Sequence, residues 1–190
     1  MENNYKELKE IAYGVCDDIC KKERIVANIY PVTFVDYYKS DVFKKNIKLK
    51  KYPIDNVLRP IYCNGVYFGG EKSIVVFLNN FKSHYEINSN NAKASFLFVL
   101  FHEIRHAMQH QKITTLDNNP RYDLGKVKIE LDNCRSYNGK DYKLNHDWFF
   151  HEIDADKYGV DKAREYLISN NSYVGKEKNY LELREFYYKY

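Results

Sequence analysis

The chain has no stretch of apolar residues approaching the ~20 needed to cross a bilayer as a helix, which argues against a membrane span. Its opening residues, Met1-Glu2-Asn3-Asn4-Tyr5, lack the basic-then-apolar pattern of a secretory signal, so a cytoplasmic protein is expected. Cysteine is scarce: Cys16, Cys20, Cys63 and Cys134 contain no Cys-x-x-Cys pair and give no sign of a disulfide framework. A structural zinc on Cys16 and Cys20 would need two further ligands that nothing nearby offers. One helical turn apart, these two thiols read instead as reduced side chains buried in a helix interface. Net charge is only +4. Lys44, Lys45, Lys48, Lys50 and Lys51 form a basic cluster, but no nucleic-acid-binding signature accompanies it, so it reads as a solvated loop and nucleic acid is not an expected partner. Internal repeats and low-complexity segments are absent as well.

What is present suits one domain of mixed α+β class: 190 residues, 22.7 kDa and 44% hydrophobic side chains are enough for a core. Leu8, Ile11, Ala12, Val15 and Ile19 recur at helical spacing over residues 4 to 23 and predict a helix that covers a sheet. Residues 25 to 36, broken at Pro31, then 61 to 68 and 73 to 78 read as strands, with Asn64-Gly65 and Gly69-Gly70 as tight turns. Residues 112 to 145, rich in turn signals, are long for a connection and are expected to form a flap, with 127 to 131 as a short strand. The last fifteen residues, with Tyr180, Leu181, Leu183, Phe186 and Tyr187, predict a helix that docks on the rest. Helix plus sheet thus occupy residues 1 to 90, the functional helices and flap 91 to 168, and the docking helix 169 to 190.

The most informative run is His102-Glu103-Ile104-Arg105-His106. Two histidines four apart on a helix face one side and can grip one metal ion, while Glu103 lies close enough to serve a water there, the layout of zinc-dependent hydrolysis. Residues 94 to 101 ahead of it are apolar almost all round, which marks a buried helix running from about Ser89, Asn90 or Asn91, all capable caps, to about Gln111.

Catalytic zinc usually takes three protein ligands, so a third must come from elsewhere. Glu152 is the best candidate, opening a second helical pattern in which Glu152 and Asp156 share a face. An interior glycine costs a helix about 1 kcal/mol, so Gly159 points to close approach by the histidine-bearing helix. Rivals are His110, His146, His151, Asp154 and Asp156. His110 reads as a surface histidine, and His151 points about 100 degrees from Glu152 and stands as second choice.

The two motifs together resemble the zincin metallopeptidases of the gluzincin type, which pair His-Glu-x-x-His with a later Glu-x-x-x-Asp, and loosely the ImmA/IrrE group of mobile-element peptidases. Small membrane-bound zincins share the Glu-x-x-Ala-Asp form, but the missing span argues against them. The resemblance covers residues 91 to 168. It implies one zincin-like domain, a small mixed or antiparallel sheet on the active-site helix, and one Zn2+ held by His102, His106 and Glu152. It makes Glu103 the general base and Asp156 the carboxylate that orients His102. It implies a protein or peptide substrate pairing with the sheet's edge strand, for which residues 73 to 78 are the candidate. Related enzymes add a Tyr or His donor for the oxyanion; with nineteen tyrosines in the chain, His84, Tyr137, Tyr142 and His146 are among the possibilities and none is singled out. The alternative is a zincin-shaped module that binds a partner without cleaving it, and the presence of Glu103 favours catalysis.

Overall fold

The structure, a computed structural model, describes residues 3–41, 43–44, 64–83, 91–111 and 150–187. Helix α1 (Asn3–Glu23) lays its predicted stripe inward: Ala12 and Val15 are buried, and Leu8, Ile11 and Ile19 pack around them. Strand β1 (Asn28–Val32) follows and runs straight through Pro31, whose partner is Val76. Among the described residues β1 is an edge strand, where a residue lacking an N–H is tolerated, so the expected break does not occur. The strand reading as far as Asp36 is also corrected. Thr33 accepts from the Asp36 amide at 3.2 Å and its hydroxyl reaches the Asp36 carboxylate at 2.7 Å, a reciprocal cap that starts helix α2 (Phe34–Lys39).

Strands β2 (Gly65–Phe68) and β3 (Ser73–Phe77) are antiparallel, joined by a turn through Gly69 and Gly70, while β1 and β3 are parallel. The sheet is therefore mixed, in the order β1-β3-β2. All five residues of β3 are buried, as a central strand requires. The expectation that this segment is the edge strand is thereby overturned, and among the described residues β2 takes that position beside the histidine helix. Period-two alternation divides the core: Ile74 and Val76 join the main cluster, whereas Val75 and Phe77 meet Tyr37 and Phe68 on the opposite face.

After helix α3 (Leu78–Ser83) comes helix α4 (Asn91–His110), the predicted buried helix, with residues 94 to 101 all buried. Ser89 and Asn90 lie outside the described residues. Helix α5 (Phe150–Ser169) packs along α4. At Gly159 an added Cβ would stand 2.9 Å from the Phe98 carbonyl oxygen, which is why that position has none. Helix α6 (Gly175–Tyr187) closes the layer against both, burying Leu181 and setting the Arg184 guanidinium 4.8 Å from the Phe98 ring. The expected flap over residues 112 to 145 lies outside the described residues. No helix among those described is long and apolar enough to cross a membrane.

Candidate metal centre

Helix α4 supplies His102, Glu103 and His106, and helix α5 supplies Glu152 and Asp156. Beyond its apolar stretch over residues 94 to 101, α4 turns His102, Arg105, His106 and Gln109 toward polar residues at the start of α5. His102 and His106 are half-buried, Glu103 and Glu152 buried. His102 Nε2 and His106 Nε2 stand 2.9 Å apart, and each lies 3.3 Å from Glu152 Oε2. The three residues are close enough to hold one metal ion. Bonds of about 2.0–2.1 Å at tetrahedral angles imply donor separations of roughly 3.3 Å, which the two histidine–glutamate separations match while the histidine pair stands closer, at 2.9 Å.

The far side of each imidazole strengthens that fit. His102 Nδ1 meets Asp156 Oδ1 at 2.8 Å, and His106 Nδ1 meets Gln109 Oε1 at 2.8 Å. With both Nδ1 protons taken by acceptors, two Nε2 lone pairs and a carboxylate oxygen converge on one point, an arrangement that calls for a cation. Burial opposes charge on His102, but its hydrogen bonds with Asp156 and Glu152 outweigh it and hold the pKa well above the ordinary value. His106 is likewise raised, with Glu152 overcoming burial and the repulsion of His102.

Glu103 lies beside the sheet edge. Burial pushes its carboxyl upward, opposed by His102 and His106 and by a hydrogen bond donated by the backbone of Tyr67 in β2. Gly65 makes room for it: a Cβ there would stand 2.9 Å from Glu103 Cγ and 2.7 Å from Val99 Cγ1. Gly65 is thus a paired strand residue, opposite Val76, rather than half of the expected turn.

The rival ligands sort themselves by contact. Asp154 is occupied by a bidentate pair with Arg105, at 2.7 and 3.1 Å. Asp156 touches His102 from behind. His151 Nε2 reaches Glu152 Oε1 at 3.2 Å, the oxygen turned away from the two histidines. His110 is exposed and rests against Tyr67. His84, Tyr137, Tyr142, His146, Cys63 and Cys134 lie outside the described residues, as does all of the lysine cluster except Lys44. Sequence reasoning overlooked Arg105, Gln109, Gly65 and Tyr67. A usable signal existed for one of them, since an arginine in the middle of a buried helix requires an acidic partner.

Set against known proteins, the chain matches no family model, no curated protein and no solved structure.

Proposed function

We propose that this chain is a zinc-dependent peptidase of the gluzincin type, hydrolysing a peptide bond in a protein or peptide. The observation that carries the reading is the convergence of His102 Nε2, His106 Nε2 and Glu152 Oε2 at 2.9 to 3.3 Å, with Glu103 buried next to them. Two imidazoles and one carboxylate form the donor set of many hydrolytic zinc sites, which keep a further position for solvent or substrate. Zinc bound there supplies Lewis acidity, which brings water ionisation near neutral pH and polarises a carbonyl.

The remaining work falls to this chain's own side chains. Asp156 and Gln109 hold the imidazoles so that both Nε2 atoms face inward. Glu103, one residue on from His102, takes a proton from the attacking water on its carboxylate and passes it to the departing amine. Burial raises its affinity for that proton, while the Tyr67 amide keeps the carboxylate oriented. Strand β2, an edge strand among the described residues and beside α4, is the element along which an extended peptide would lie.

The test is Glu103→Gln, assayed by mass spectrometry on a mixed synthetic peptide library. The variant is expected to retain zinc and lose hydrolysis by several orders of magnitude. Equal turnover by variant and wild type would sink the mechanism. A wild type that binds zinc and cleaves nothing would favour a non-catalytic binding module.

A further inference from the structure

Gln109 touches both the ligand layer of the α4–α5 contact and the packing layer behind it. Its Nε2 donates to Asp154 Oδ2 at 2.7 Å and to the His151 carbonyl at 2.8 Å, and its Oε1 accepts from His106 Nδ1 at 2.8 Å. Gln109 is 7% exposed, and its bonds to Asp154 and the His151 carbonyl are buried. Two acceptors on one side fix the NH2 group there and leave only the oxygen to face the imidazole. Asp154 in turn is pinned by Arg105, which donates through Nε and Nη2. Every donor in the series, Arg105 to Asp154, Gln109 to Asp154 and His106 to Gln109, then has a single direction.

We infer that Gln109 is a positioning residue for the metal centre, holding His106 in the tautomer that offers Nε2 and, through the His151 backbone, setting where Glu152 enters. This rests on the zinc reading above and adds to it a second orienting group, distinct in chemistry from Asp156. His102 is backed by a carboxylate, His106 by a neutral amide. No other side chain of similar size serves. A glutamate at 109 would set a carboxylate against two acceptors, Asp154 and the His151 carbonyl, and an apolar residue would leave the Nδ1 proton unanswered. The His151 side chain completes the set by holding Glu152 Oε1 at 3.2 Å, leaving Oε2 toward the histidines. Each of the three ligands therefore has its own support.

The test compares the wild type with Gln109→Leu, which keeps volume and removes both functions of the amide. Zinc affinity is measured by competition with a chelating dye, and folding of the metal-free proteins by circular dichroism. Loss of an orienting partner is expected to weaken zinc about 10–100-fold, and to shift the visible absorption bands of the cobalt-loaded protein. Wild-type affinity and unchanged bands in a folded Gln109→Leu would overturn the inference while leaving the zinc site intact. A wild type that binds no zinc would overturn the peptidase reading, and this inference with it. If Gln109→Leu does not fold, imidazole nitrogen shifts of the zinc-loaded wild type decide. His106 protonated on Nδ1 supports the assignment, and Nδ1 bound to metal refutes it.

Discussion

Arg105 and Asp154 are 1% and 5% exposed, the most deeply buried ion pair among the described residues, and they join the two helices that carry the metal cluster. Asp154→Ala would take away the carboxylate to which the buried guanidinium donates through Nε and Nη2, while the Tyr158 ring stays 5.1 Å away. Removing one member of a buried pair costs about 3–5 kcal/mol, a large share of the roughly 5–15 kcal/mol by which a domain is stable. At about 2–4 °C per kcal/mol for a chain of this size, the melting temperature should fall by roughly 6–20 °C. The assay is thermal unfolding by circular dichroism with a chelator present, so that metal binding adds nothing to the difference. The double variant Arg105→Met with Asp154→Leu removes both charges and fills the space. It should recover part of the loss, because an apolar pair carries no desolvation penalty, while Gln109 Nε2 loses Asp154 as an acceptor and keeps the His151 carbonyl. A shift of under about 2 °C for Asp154→Ala, or a double variant as unstable as the two single losses summed, would refute the reasoning.

Gly159→Ala gains about 1 kcal/mol of helix propensity, yet its Cβ would stand 2.9 Å from the Phe98 carbonyl oxygen and 3.1 Å from the ring. Overpacking of that kind typically costs 1–3 kcal/mol, roughly, so denaturant titration should show net destabilisation, and a stabilised variant would contradict the close approach of α4 and α5. Cys20 behaves differently from an ordinary thiol. Its Sγ lies 3.8 Å from Cys16 Sγ, and the hydrogen bond from Cys16 lowers its pKa to about 7. The thiolate is the form present above that value, so alkylation of Cys20 by iodoacetamide, followed by peptide mapping, should rise with a midpoint near pH 7. Cys16→Ala should move the midpoint up toward about 8.5, and an unchanged profile would contradict the pairing.

Patterns that repeat along one element could be read directly. The α1 stripe, the apolar run of α4 and the small residue at Gly159 each express a single helix meeting a core, and helix periodicity reports that without knowledge of the neighbour. The mixed α+β class followed from the same signals. Strand order did not, because a run such as Ser73 to Phe77 is equally apolar whether it is central or at an edge. The sheet order depends on pairings remote in sequence, Asn28 with Ser73 and Gly65 with Val76. Thr33 shows a local rule overlooked: a Thr-x-x-Asp cap ended the strand where β propensity alone would have continued it.

At the cluster, His102, Glu103, His106 and Glu152 were named from helical spacing and Asp156 from the family resemblance, and the five lie near one another in the structure. The groups behind them were not legible. Gln109 and Asp154 look like ordinary polar residues of two helices, and their meaning arises only where 42 to 49 positions of sequence separation are closed by packing. Gly65 was read as a turn former because Asn-Gly favours turns, whereas its lack of a Cβ serves the approach of Glu103.

The most direct test of the account is the zinc content of the protein purified without added metal, measured by mass spectrometry alongside Glu152→Ala. Near one zinc per wild-type chain and a clear loss in the variant are the predicted results. Equal zinc in both would contradict the assignment of Glu152, and no zinc in either after zinc is offered would contradict the metal centre itself.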